Sequence, residues 1–189
     1  MKPLEQVTLF LKITGSHAIA RRYFVVNGFD GVLTMLGIIM GFHISAGTNT
    51  AVIISACLGA TVALTVSGMT SAYISEAAER QNSLQKLEQA MVADLGESAH
   101  GKAARLMPIF IALVNGLAPM LLSLLIISPL WFSAYLPISP LLIAIAIGLT
   151  IVFFLGVFLG RVSGIFWLWS GLRTLLIALA TCGIIILLD

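Results

Sequence analysis

From Leu106 to Gly160 the chain carries no Asp, Glu, Lys or Arg. A stretch of that length exceeds one membrane span of about 20 residues and falls short of three spans with their loops. It reads as two apolar helices joined by a turn. The turn is Ser128-Pro129-Leu130-Trp131-Phe132-Ser133-Ala134-Tyr135-Leu136-Pro137. Prolines are expected to break the helix there, and Trp131 and Tyr135 suit a membrane interface.

The same reading extends to the rest of the chain. Of its 189 residues 59% are hydrophobic and 10% charged, and the mean hydropathy is +1.07. A soluble domain carries about 25% charged residues, so most of this chain has no water to face. Phe24 to Ser45 is apolar apart from Asn27, Asp30 and His43, Thr50 to Ser75 carries no Asp, Glu, Lys or Arg, and Gly164 to Leu188 carries only Arg173. The expected fold is an all-α integral membrane protein with five transmembrane helices. It forms one membrane domain over 1–189. A cytoplasmic amphipathic segment covers 1–23, spans one and two cover 24–75, an acidic cytoplasmic helical segment covers 76–105, and spans three to five cover 106–188.

Charge placement orients these spans. Lys2, Lys12, Arg21 and Arg22 precede the first span, Arg80, Lys86, Lys102 and Arg105 lie between the second and third, and Arg161 lies between the fourth and fifth. The other two connections hold no Lys or Arg. With five spans every basic loop falls on one side, which the positive-inside rule makes cytoplasmic. The N-terminus is then inside and Asp189 outside, in a multi-pass membrane protein. The start of the chain lacks the continuous apolar core of a signal peptide. Val7, Phe10, Leu11 and Thr14 share one face of a short surface helix. The formal charge of +2 gives no reason to expect nucleic acid. Cys57 and Cys182 fall inside spans and read as small buried hydrophobes.

Between the second and third spans, Leu84, Leu87, Met91 and Leu95 recur at helical spacing. Glu76, Glu79, Glu88, Asp94 and Glu97 add a run of acids. On a straight helix Glu76 and Asp94 share a direction, as do Glu79 and Glu97, but each pair is about 27 Å apart. The acids converge only if the chain folds back, with Gly96 the natural place. Otherwise they form a solvated face partnered by Arg80 and Lys86.

Small residues recur every fourth position along the second span: Ala51, Ser55, Gly59, Ala63, Ser67, Ser71 and Ser75. Gly156, Gly160 and Gly164 repeat the spacing in the fourth span, and Gly37 and Gly41 in the first. Such stripes let another helix approach closely, within one chain or between two.

Asp30 stands out chemically. It lies about 9 Å inside the first span, where a charge costs roughly 2.5–3.5 kcal/mol near the centre of an isolated helix. An acid there is a candidate for ion handling, or for a structural pair with Arg173 in the fifth span. By depth, Asp30, Thr34, Met69, Thr70 and Asn115 fall in one layer. A carboxylate with a thioether suits a divalent transition metal better than Mg²⁺, while a Met in an apolar helix also serves plain packing.

These residues carry a resemblance. Asn27-Gly28-Phe29-Asp30-Gly31-Val32-Leu33-Thr34-Met35-Leu36-Gly37, Asn115-Gly116-Leu117-Ala118-Pro119 after Pro108, Trp169-Ser170-Gly171-Leu172-Arg173-Thr174, and Tyr73-Ile74-Ser75 before the acids all resemble the vacuolar iron transporter family. The resemblance implies a five-helix homodimer that moves Fe²⁺ or Mn²⁺ out of the cytosol in exchange for protons, with metal as cargo and no resident cofactor. It places the family's first-helix aspartate at Asp30 and likens its cytosolic metal-binding glutamates to Glu76, Glu79 and Glu88. Asp94, Glu97, Met69, Thr34, Thr70, Asn115 and Arg173 are the accompanying candidates. The chain departs from the family in its second helix. Ser67-Gly68-Met69-Thr70-Ser71-Ala72-Tyr73 has Ala72 where the family has glutamate, and Met69 is displaced by one position.

Two functions follow as expectations. One is a metal–proton antiporter. The other is a protein of the same fold that binds metal or a partner without transport. An enzyme is not expected, since Gly-x-Ser-x-Gly, His-Glu-x-x-His and an intramembrane His paired with a nucleophile are all missing.

Overall fold

The computed structural model describes residues 16–45, 49–135 and 137–188. The expected surface helix through Val7, Phe10, Leu11 and Thr14 lies outside the described residues. What is described is all-helical, with no strand: α1 (Ser16–Ile44), α2 (Thr50–Met91), α3 (Ala99–Trp131), α4 (Pro140–Ser163) and α5 (Trp167–Leu188). Each of the five is long and apolar enough to cross a membrane. In hydrocarbon a helix satisfies its own backbone polar groups, which is why apolar runs of this length adopt it.

Local chemistry sets the helix ends. Asn49 starts α2, its side-chain oxygen accepting the Ala51 N–H at 2.9 Å. Pro140 occupies the first turn of α4, and Gly164 ends that helix at φ 70°, where its backbone N–H bonds to the Gly160 carbonyl. The turn predicted at 128–137 begins later than its first proline. α3 runs through Pro129 to Trp131, followed by a 3-10 turn at Ser133–Tyr135. Pro129 deprives the Leu125 carbonyl of its helical donor, and the Ser128 hydroxyl donates to that carbonyl at 2.8 Å. The helix therefore survives its proline.

The acidic segment 76–105 is helical over most of its length, as the end of α2 and the start of α3. α2 continues for 42 residues to Met91, well past its apolar run, and α3 begins at Ala99. Leu95, assigned by periodicity to the helix, lies in the reversal between them. Val92 takes φ 52° there, and the Ala93 N–H reaches back to the Glu88 carbonyl.

The chain forms two compact units, whose boundaries cut through α1, α2 and α3 rather than through linkers. One unit takes in residues 1–24 and 65–117. Its interior includes Ala72, Ala103, Met107 and Ile111. Met69 wraps around Gly116, where an added Cβ would collide with that side chain and lie 2.8 Å from the Thr65 carbonyl oxygen.

The second unit takes in 25–64 and 118–189. Val32, Met35, Leu36 and Ile39 of α1 are fully buried in it, with Ile126 and Ile127 of α3. Glycines set its helix contacts: Gly31 meets Pro119, Gly148 meets Leu36, and Gly156 and Gly160 meet Thr174 and Ser170. α5 buries only Gly171, Ala178 and Cys182.

Candidate functional site

On α1 the spacing of the buried residues decides where Asp30 points. Gly28 faces Leu122 and Leu155, and Gly31 faces Pro119. With Val32, Met35 and Leu36 they form the inward stripe. Asp30 lies between them in sequence but on the opposite side of the helix, and it is exposed in the single chain. Val26, one turn earlier, is exposed too, and Thr34, one turn later, is half-buried. A carboxylate thus stands on the outer face of a helix whose span from Phe24 to Ser45 carries no other Asp, Glu, Lys or Arg.

Arg173 does not neutralise it. Both residues are exposed, and the ion pairs among the described residues are Glu76–Arg80 and Glu97–Arg105. The alternative of a structural Asp30–Arg173 pair is not formed.

The predicted layer of Asp30, Thr34, Met69, Thr70 and Asn115 is divided by the two units. Asp30 and Thr34 belong to one, and Met69, Thr70 and Asn115 to the other. Within the latter, buried Asn115 donates from Nδ2 to the Gly68 carbonyl oxygen at 2.7 Å. Met69 is half-buried against Gly116, while Thr70 is exposed. The motif Asn115-Gly116 therefore has a packing role: a hydrogen bond to the α2 backbone and a gap that admits Met69.

Four of the five acids have separate neighbours. Glu76 is buried, with Oε2 3.3 Å from Nη2 of Arg80, and Arg80 also donates to Ser16 Oγ at 3.0 Å. Glu88 accepts the Leu95 N–H at 3.0 Å, and Asp94 accepts the Gly96 N–H at 2.8 Å. Both carboxylates cap the reversal, a use the sequence reading did not foresee. Glu97 sits 3.9 Å from Arg105, and Glu79 is exposed. The chain does fold back between Met91 and Ala99, yet no group of three or more His, Cys, Asp or Glu that could hold a metal forms among the described residues.

The small-residue stripe of α2 has a different setting from that of α4. Ala51, Ser55, Gly59, Ala63, Ser67, Ser71 and Ser75 are all exposed, and nothing lies within 4 Å of a Cβ built on Gly59. Gly156 and Gly160 of α4 are already used against α5.

A groove missed in sequence lies along the polar half of α2. It is lined by Tyr73, Ala77, Gln81, Leu84 and Glu88, at helical steps of four, four, three and four, with Arg105 and Pro108 of α3. The steps were legible, but the partner face from α3 was not.

Five apolar helices with an outward acid define a protein compatible with multi-pass insertion in a membrane. The chain belongs to the family of the uncharacterized protein MJ0645 of Methanocaldococcus jannaschii, to which it is 30% identical over 162 residues, 84% of this chain and 83% of that protein. No family model matches the chain. No solved structure matches it.

Proposed function

We propose that this protein is a homodimeric, multi-pass transporter of a prokaryotic cell membrane, with its N-terminus cytoplasmic. It moves a divalent transition metal, Fe²⁺ or Mn²⁺, out of the cytosol in exchange for protons. The observation that carries the reading is the outward carboxylate of Asp30, in a span with no other acid and without an ion pair among the described residues. A bare charge in such a place is costly. Either a proton or a divalent cation removes that cost, and one carboxylate cannot hold both. Alternate occupancy of Asp30 therefore couples the two flows. The resemblance of the Asn27–Gly37 motif to the vacuolar iron transporter family supports the choice of cargo.

Other residues have lesser parts in this reading. Met69 tunes metal preference through its thioether, and Thr34, Thr70, Asn115 and Arg173 shape the pathway. Glu76, Glu79 and Glu88, with Asp94 and Glu97, raise the local cation concentration by their summed field, which does not require them to converge.

The test is flux into liposomes that contain a metal-sensitive dye, under a pH gradient, with Fe²⁺ and with Mn²⁺. Asp30→Asn keeps size and hydrogen bonding but loses the titratable charge. It should abolish pH-driven flux while the protein stays folded. Undiminished proton-coupled flux in that variant would overturn the mechanism.

A second reading is a protein of the same fold that binds metal or a partner in a regulatory or structural role. Two observations favour it: buried Ala72 where the family has a glutamate, and the local partners of most of the acids. Absence of flux of either metal in the unmutated protein would select it.

A further inference from the structure

The groove between the polar half of α2 and the start of α3 lies wholly within one unit and encloses about 450 Å³. From Tyr73 to Glu88 it follows α2 for about 22 Å. Tyr73 and Pro108 line it where the uncharged run of α2 ends, and Glu88 and Arg105 line it together with Gln81.

Glu88 and Arg105 share this cavity without pairing. The ion pairs among the described residues are Glu76–Arg80 and Glu97–Arg105. The second is long, at 3.9 Å, between side chains 69% and 87% exposed, and such a surface pair yields readily to a competitor. Glu88 uses Oε1 to accept the Leu95 N–H. An ionised carboxylate has about four acceptor sites, so it retains capacity for a donor in the cavity. A simple anion entering the groove meets the repulsion of Glu88, and a metal cation meets that of Arg105. A molecule carrying both signs meets neither.

We propose that this groove binds a zwitterion, with its ammonium on Glu88 and its anionic group on Arg105. The proposal shares Glu88 with the transport reading but needs neither Asp30 nor metal. The ligand joins a primary ammonium to a phosphate or carboxylate. An aminophospholipid headgroup supplies this chemistry, and so does a free soluble zwitterion. Gln81 and Tyr73 add neutral hydrogen-bonding groups to the lining.

The test uses the full chain. Free phosphoethanolamine, ethylamine and inorganic phosphate are titrated calorimetrically into the detergent-solubilised protein. Retained lipid is read by native mass spectrometry from nanodiscs of phosphatidylethanolamine mixed with phosphatidylglycerol. Phosphoethanolamine should bind about tenfold or more tightly than either half-molecule, or phosphatidylethanolamine should be retained over phosphatidylglycerol by a similar factor. Retention without binding of the free compound assigns the lipid, and binding of the free compound assigns a soluble zwitterion. Glu88→Gln and Arg105→Gln should each remove about tenfold. Gln keeps an oxygen for the Leu95 N–H, and the exposed Arg105 side chain allows a test without loss of the fold. Three results would overturn the proposal: phosphate binding as tightly as phosphoethanolamine, affinity unchanged in either variant, or neither zwitterion binding.

Discussion

Asn115 of α3 donates to the backbone carbonyl of Gly68 in α2 at 2.7 Å, one residue before Met69. The amide is buried, so the bond is formed out of water. Interhelical hydrogen bonds in membrane proteins contribute about 0.6 kcal/mol on average and up to about 1.7. Asn115→Ala should therefore lower stability by about 0.6–1.7 kcal/mol in reversible unfolding from mixed micelles. Asn115→Asp should cost more, because it sets a carboxylate against a carbonyl oxygen. An Asp variant as stable as the unmutated protein would show that the bond contributes nothing.

Gly31 shows how the acid-bearing motif packs. A Cβ there would lie 2.7 Å from Cβ and 2.8 Å from Cα of Pro119, whereas nothing lies within 4 Å of one on Gly41. The neighbour at Gly31 includes backbone and cannot swing away. Gly31→Ala should destabilise by about 1–3 kcal/mol, the usual cost of overpacking. Gly41→Ala should be neutral or stabilising, since alanine favours the helix by up to about 1 kcal/mol. Thermal melts of the two variants in one detergent check the contrast, and equal melting temperatures would refute it.

Much of this arrangement could be read from the chain. The uncharged run from Leu106 to Gly160 and the apolar stretches flanking it give the five helices, because hydrocarbon leaves an apolar segment few other backbone options. Asp30 was conspicuous for the same reason. The partners of polar side chains were harder to read. Nothing in the spacing of Glu88 or Asp94 announces that each carboxylate accepts a backbone N–H across the reversal. Nor does the pattern of Gly156 and Ser55 distinguish a small residue packed within the chain from one left open. Periodicity reports which residues share a helix face, and tertiary contacts decide what that face meets.

Val92 is a β-branched residue in the left-handed region, with φ 52°, where α2 ends. That conformation costs an L-residue about 1–2 kcal/mol. Glycine would relieve it while adding backbone freedom to the unfolded chain, a penalty of about 0.5–1 kcal/mol. Relief exceeds the penalty, so Val92→Gly should stabilise by about 0.5–1 kcal/mol. Val92 is 91% exposed, so little packing is lost. Chemical denaturation compared with Val92→Ala, which keeps the strain, measures the difference. A Gly variant less stable than the Ala variant would contradict this account of the reversal.

Gly59 and Gly156 occupy similar stripes but predict opposite phenotypes. A side chain on Gly156 would enter the space of Thr174 and approach the Ser170 carbonyl oxygen to 2.9 Å, so Gly156→Leu should disrupt the packing of α4 on α5 and lower the unfolding midpoint. Gly59 has open space around it, and the rest of its stripe is exposed as well. Gly59→Leu should leave the single chain as stable as before. If the open stripe is the face on which a second copy packs, the leucine separates two closely approaching backbones. Dimer dissociation in detergent should then become at least about tenfold easier, or about 1.4 kcal/mol. Analytical ultracentrifugation of both variants separates the effects. An unmutated protein that is monomeric at every concentration would remove the homodimer. A Gly59→Leu dimer of full strength would move its interface away from this stripe.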